Sequence, residues 1–249
     1  MASACPICTG NTSAIDVLDL SKSCGVSGEF LPLTFVPVYY FICDDCDFVF
    51  APELYGWSKE QFKDLIYNEE YIQVDPEYVE VRPTANATMI NRIFGDQKTR
   101  VKHLDFGGGN GHLSSQLSSW GWNSSSYDPF EKDETDADDL GQFDFVTAFE
   151  VFEHVPDPNA LIEELSTLTH HGSLIFFSTL LSDGEITRNE RLTWWYCAPR
   201  NGHISLYSRK SLYLLGKNHG LNYGNINQGT HILFKEMPEW AAAKFTPST

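Results

Sequence analysis

Long apolar runs are missing from this chain. No stretch approaches the roughly 20 consecutive apolar residues of a membrane-crossing helix, which excludes an ordinary helical membrane protein. The opening Met1-Ala2-Ser3-Ala4-Cys5 lacks the basic and apolar regions of a secretory leader, so the expected location is the cytoplasm. Basic residues are scarce: 17 Lys and Arg stand against 34 Asp and Glu, a formal net charge of −17. Residues 44–80 hold eleven acids and two lysines, and residues 131–139 hold six acids and one lysine. Proteins that bind nucleic acid carry the opposite field, so a polyanionic partner is disfavoured. The acids read as a solvated surface that aids solubility. Repeats and low-complexity segments are absent as well. What remains suits one domain with an appendage: 249 residues, 42 % apolar and 14 % aromatic. Nothing in the sequence sets an oligomeric state.

The six cysteines are few but patterned. Four form Cys5-Pro6-Ile7-Cys8 and Cys43-Asp44-Asp45-Cys46. Two C-x-x-C pairs in a chain without a leader point to one structural zinc held by four thiolates. Reduced inert thiols and disulfides are the other readings. The 34 residues between the pairs exceed a knuckle spacing, so a small sheet is expected there. Leu31–Phe41 reads as that sheet, with Pro37 as a break. Cys24 and Cys197 read as ordinary thiols.

Three regions follow: a zinc-binding module over 1–50, a helical connector over 51–100, and an α/β domain over 101–249. In the connector, Ser58 caps a helix through Tyr67 with Phe62, Leu65 and Ile66 inward. Pro76 and Pro83 punctuate it, and a second helix runs over Thr84–Phe94. From 101 onward strands alternate with helices, which implies a parallel sheet. Strands are expected near 101–106, 123–127, 143–149, 173–180, 221–226 and 230–235, with helices near 111–120, 158–169 and 209–218. Asp157-Pro158 gives the middle helix a cap and a proline in its first turn. The last two strands leave no room for a helix between them and imply an antiparallel hairpin.

Val101–Gly111 carries the most information. An apolar strand ends in Asp105, breaks into Gly107, Gly109 and Gly111, and runs into a helix with Leu113, Leu117 and Trp120 on one face. Glycines allow a sharp turn and close approach of a ligand to main chain, and the helix N-terminus offers unpaired N–H groups. Such a loop binds a nucleoside-containing cofactor at the carboxyl ends of parallel strands. His112 stands where the third glycine of a dinucleotide fingerprint falls. Asp128, 21 residues after Gly107, follows a strand-like segment and can take both ribose hydroxyls. An NAD-type site and a plain glycine-rich turn are the competing readings.

Asp105-x-Gly107-x-Gly109-x-Gly111 with Asp128 resembles motif I and its downstream acid in the class I methyltransferases that use S-adenosylmethionine (SAM). The resemblance implies a Rossmann-like sheet and cofactor contacts from Asp105, Gly107, Gly109, Asn110, Gly111, Asp128, Pro129 and Phe149. It departs from the family after Phe130. Only about a dozen residues precede the strand at Phe143, where the family places a helix, a strand and another helix. Asp138 and Asp139 are the candidates left for adenine contacts. Tyr67 and Tyr71 resemble paired tyrosines that cover SAM in zinc-bearing relatives.

Glu150-Val151-Phe152-Glu153-His154-Val155-Pro156-Asp157-Pro158 resembles the motif after the fourth strand of ubiquinone-biosynthesis O-methyltransferases and of many sugar or natural-product methyltransferases. Small-RNA 2′-O-methyltransferases share a related E-x-x-E-H and a distant histidine, which hold a divalent cation. Glu150, Glu153 and His154 match by position, and His203 in Asn201-Gly202-His203-Ile204-Ser205 is the candidate distant histidine. The chemistry stands without the resemblance. A hydroxyl is a poor nucleophile near neutral pH; a cation lowers its pKa and a histidine accepts its proton. The mixed oxygen and nitrogen donors suit Mg2+, Mn2+, Fe2+ or Zn2+. A metal-free His154 base, and a purely structural loop, are the alternatives. Leu192–His203 is strongly aromatic, and Trp195, Tyr196 and Arg200 are candidate contacts to the acceptor.

The whole implies a SAM-dependent methyltransferase acting on a small-molecule acceptor, at a hydroxyl oxygen, with an N-terminal zinc module. Metal-independent C- or N-methylation of a sugar or natural product is the second reading. A SAM-binding interaction protein that lost its chemistry is the third.

Overall fold

A computed structural model describes residues 4–25, 31–130 and 140–245. In chain order these form β1 (Thr12–Asp19), β2 (Pro37–Cys43), β3 (Val49–Phe50), α1 (Lys59–Leu65), α2 (Tyr71–Val74), α3 (Val81–Phe94), β4 (Lys102–Phe106), α4 (His112–Ser119), β5 (Asn123–Tyr127), β6 (Phe143–Phe149), α5 (Pro158–Thr167), β7 (Thr169–Ser178), β8 (Ser205–Leu206), α6 (Arg209–Asn218), β9 (Asn222–Asn225), β10 (Thr230–Phe234) and α7 (Glu239–Ala242). Among the described residues no helix is long and apolar enough to cross a membrane.

The chain divides into two compact units that interleave in sequence. One holds residues 1–76, 152–159 and 179–215; the other holds 77–151, 160–178 and 216–249. We call them the cysteine unit and the glycine-loop unit.

The glycine-loop unit is built on a six-stranded sheet of order β5-β4-β6-β7-β10-β9. β4 runs parallel to β5 and β6, and β6 parallel to β7; β10 is antiparallel to β7 and to β9, which makes the expected terminal hairpin. β4 and β6 are buried along nearly their whole length, as central parallel strands must be. On one face Ala87, Ile90 and Phe94 of α3 meet Leu113 and Leu117 of α4, Phe145 of β6 and Phe176 of β7. Phe94 and Phe145 pack with ring centroids 4.9 Å apart. Truncating Phe145 to Ala would cost about 3–5 kcal/mol through lost burial and the cavity left behind. Among the described residues β5 ends the sheet, and no third strand lies beyond it. Asp138 and Asp139 lie outside the described residues.

The cysteine unit has a four-stranded antiparallel sheet of order β1-β2-β3-β8. Here the sequence expectation needs correction. Pro37 opens β2 instead of breaking a strand over 31–41, because a first strand position tolerates a missing N–H. Its partner β1 has little alternation and carries a bulge between Ala14 and Asp16, so periodicity did not reveal it. α1 begins as expected: Ser58 Oγ accepts from Gln61 N–H and Gln61 Oε1 accepts from Ser58 N–H, a full capping box. It stops at Leu65, however, and Leu65 is exposed while Phe62 and Ile66 are buried. α3 starts at Val81, three residues early, with Pro83 tolerated in its first turn.

Candidate active site

The turn after β4 is shaped by left-handed backbone. Gly109 sits at φ 51°, and a side chain added there would meet nothing within 4 Å, so bare main chain faces open space. Its N–H donates to Asp128 Oδ2 at 2.8 Å. Phe130 N–H, just past Pro129, donates to Asp128 Oδ1 at 2.8 Å. These two amides fix the carboxylate, and each oxygen keeps a lone pair for a further donor. Asn110 Oδ1 accepts from His112 N–H at 3.0 Å and starts α4. Under the loop Ser126 Oγ is buried without a hydrogen-bond partner. An open glycine, an aimed carboxylate and an orphaned hydroxyl fit the ribose of a nucleoside cofactor.

Asp105 is the buried anchor of this loop. Burial pushes its carboxyl up to about 7, the Asp128 charge adds to the shift, and Thr147 opposes it. Thr147 Oγ1 donates to Asp105 Oδ1 at 2.8 Å. His103 lies behind Thr147, with Nε2 3.1 Å from Thr147 Oγ1 and Nδ1 2.7 Å from Ser124 Oγ. Burial holds His103 down at about 3, so it is neutral. Protons then run in one direction, from Ser124 through His103 and Thr147 to Asp105. Thr147 is a supporting residue that sequence reasoning missed, since one threonine inside a buried strand carries no signal of its own.

At the end of β6, Phe149 is half-buried. Glu150 next to it takes φ 54°, its N–H donates to Ser178 Oγ at 2.9 Å, and its Oε2 lies 3.1 Å from Arg82 Nε. Glu150 is therefore ion-paired with α3. Of the four expected cation ligands, Glu153, His154 and His203 form a group whose ligand atoms lie within 4.8 Å of one another.

That group is assembled in the cysteine unit. A short 3-10 turn, Phe152–His154, places Glu153 and His154 side by side. Ile204 N–H donates to Glu153 O at 2.9 Å and brings His203 alongside. The His154 and His203 ring centroids are 4.9 Å apart. His203 Nδ1 lies 2.7 Å from Tyr196 O, and His154 Nδ1 lies 3.2 Å from Gly202 O. A carbonyl only accepts, so each ring donates from Nδ1. Tyr67 Oη also lies 3.1 Å from His154 Nδ1. Glu153 is fully buried and accepts a very short bond from the Tyr196 hydroxyl.

Of the aromatic segment, Trp195 is 55 % exposed, while Tyr196 and Arg200 are buried. Arg200 donates to Ile66 O at 2.6 Å and to Asn68 Oδ1 at 3.2 Å, so its guanidinium is committed to the chain itself. Tyr71 is buried as well, with its ring 5.2 Å from that of Tyr67 and its hydroxyl 3.5 Å from Asn201 O.

The four knuckle cysteines converge. Cys5 Sγ is 3.7 Å from Cys46 Sγ, Cys8 Sγ is 3.3 Å from Cys43 Sγ, and all four lie within 4.8 Å. A tetrahedron of thiolates at about 2.3 Å from zinc has edges of about 3.8 Å, so the donor set fits that ion. Both knuckles are tied to the rest of the unit: Asn159 Nδ2 donates to Pro6 O at 2.8 Å, and Ser208 Oγ to Cys46 O at 2.6 Å.

A mostly parallel sheet with a glycine loop after β4 and an acid after β5 is the Rossmann-like arrangement that binds a nucleoside cofactor. Comparison sharpens the class. A family model described as a methyltransferase domain matches residues 78–224, and the chain belongs to that family. Over 55 residues it is 47 % identical to the ubiquinone biosynthesis O-methyltransferase of Colwellia psychrerythraea, covering 22 % of each protein. Over 40 residues it is 52 % identical to the enzyme of that name from Chromobacterium violaceum, covering 16 % of this chain and 17 % of that protein. The chain thus matches about a fifth of the length of these relatives. The crystal structure of human N-acetylserotonin methyltransferase in complex with SAM superposes with a TM-score of 0.52 at 16 % identity, covering 74 % of this chain and 62 % of that one.

Proposed function

We propose that the chain methylates a hydroxyl oxygen of a small molecule, and that Glu153, His154 and His203 activate that hydroxyl by holding one divalent cation. The observation that carries this reading is the pair of imidazoles, each with Nδ1 held by a main-chain carbonyl, and a buried carboxylate whose ligand atom lies within 4.8 Å of theirs. Two nitrogens and one oxygen suit Mg2+, Mn2+, Fe2+ or Zn2+. The partial matches to proteins named as O-methyltransferases support oxygen as acceptor. SAM, held by Gly109, Asp128 and the loop around them, supplies an electrophilic methyl on a sulfonium for in-line displacement. The chain's part is to orient the oxygen; a cation held there would lower the hydroxyl's pKa, so that its proton passes to water. The Cys5, Cys8, Cys43 and Cys46 set holds a structural zinc in this reading.

The test separates metal assistance from a lone histidine base. With a small-molecule acceptor identified by labelled methyl transfer into a cell extract, His154→Ala should lower turnover about a hundredfold or more with SAM affinity nearly intact. His203→Ala should match that loss if a cation is shared, and cost far less if His154 acts alone. A His203→Ala enzyme with near-normal turnover would overturn the metal reading in favour of the base.

A further inference from the structure

We propose that Tyr196 is the positioning residue of the acceptor-activating cluster, aiming Glu153 with its hydroxyl and setting the tautomer of His203 with its carbonyl. This rests on the reading of Glu153, His154 and His203 as a cation site.

The geometry gives Tyr196 two separate holds. Its hydroxyl oxygen accepts from Leu180 N–H at 3.4 Å and lies 3.5 Å from Thr179 Oγ1. With the oxygen anchored to the main chain, the O–H is turned to donate to Glu153 Oε1. Its carbonyl accepts from His203 Nδ1–H at 2.7 Å. The Tyr196 and His203 rings pack at 4.2 Å between centroids, which keeps the imidazole plane fixed. Glu153 and His203 are 50 residues apart in sequence. The Ile204–Glu153 main-chain bond brings their backbones together, and Tyr196 touches both side chains. Groups that bond to metal ligands orient them and raise their basicity, and losing one costs about 10–100-fold in metal affinity. A buried tyrosine at 6 % exposure, flanked by Trp195 at 55 %, is placed to hold the ligands and leave contact with the acceptor to its neighbour.

Tyr196→Phe tests this in the full-length, zinc-loaded protein, because it deletes the hydroxyl and keeps the ring and carbonyl. Mn2+ binding is followed by water-proton relaxation, and SAM binding by calorimetry. Wild type should take up one Mn2+ beyond its zinc. Tyr196→Phe should need about ten to a hundred times more Mn2+, with SAM affinity within about twofold of wild type. Equal Mn2+ affinity in the two proteins would overturn the positioning role. If neither wild type nor Glu153→Gln takes up Mn2+, the cation reading fails instead, and Tyr196 is judged from the 15N signals of the His203 ring. A ring signal displaced in Tyr196→Phe supports the role without metal, since the hydroxyl's bonds brace the peptide that caps His203; an unmoved signal overturns it.

Discussion

The hydroxyl of Tyr40 donates to the main-chain carbonyl of His203 at 2.8 Å. Tyr40 lies on β2, three residues before Cys43, so the strand that leads into the second cysteine knuckle also holds the distal histidine. β8, which begins two residues after His203, pairs with β3, and Ala51 N–H donates to Ile204 O at 2.9 Å. The sheet that carries Cys43 thus also holds the backbone of His203.

Zinc removal should therefore act on the histidines. Metal supplies much of the folding energy of a small cysteine module. In Cys46→Ser we expect loss of about one zinc per chain and loss of amide protection over 203–207, with SAM affinity within about twofold of wild type. Hydrogen exchange and calorimetry on one sample read both. Full protection at 203–207 in zinc-free protein would contradict the coupling.

Asp105 makes a pH prediction. Its carboxyl is raised from 3.8 to about 7 in the folded protein, chiefly by burial. The unfolded chain gives up this proton more readily, so the contribution of Asp105 to stability is greatest below about pH 4, falls as pH rises toward 7, and is level above that. Asp105→Asn removes the fall, since its amide oxygen can still accept from Thr147. We expect the variant to match wild type near pH 4 and to be more stable by about 2–4 kcal/mol at pH 8. Urea unfolding at the two pH values checks this; a less stable variant at pH 8 would refute it.

Asp128 should matter to the cofactor and little to the fold. Its two backbone donors aim it, and its remaining lone pairs are what a ribose would use. Asp128→Ala is expected to weaken SAM and its demethylated product by about 1.5–3 kcal/mol through lost charge-assisted bonds. Calorimetry of both ligands decides the matter, with unchanged affinity as the contrary result.

Gly202 is tighter than its sequence suggests. It sits at φ 84°, and a Cβ would lie 2.5 Å from Tyr67 Oη and 3.1 Å from His154 Nδ1. Gly202→Ala should destabilise by about 1–3 kcal/mol and lower turnover more than it lowers SAM affinity. Thermal unfolding with and without SAM measures the first, and methyl transfer the second. Wild-type stability and turnover would show that the close approach is dispensable.

What could be read in advance was local. Gly107, Gly109 and Gly111 mark a turn by their own chemistry, Ser58 marks a helix start, and the runs at 123–127 and 143–149 became strands with those bounds. What could not be read depends on distant pairing. Ser205–Leu206 is a strand only because β3 is there to receive it. The bond from Arg82 to Glu150 spans 68 residues and gives no periodic signal. Tyr196 and Arg200 look like contacts to an acceptor because aromatic and basic residues in a loop usually face outward. Their burial comes from partners at Glu153 and Ile66 that lie far off in sequence.

The pairing of β3 with β8 also has a history in time. Val49 and Phe50 leave the ribosome early, whereas Ser205 follows about 155 residues later. At roughly 5–20 residues per second, that edge of the young sheet stays open for about 8–30 s during each round of synthesis. An open, apolar strand edge is a place where nascent chains pair wrongly with one another. The yield of soluble protein should thus depend on how fast translation carries the chain past residue 206, and slow codons between the two strands should lower it.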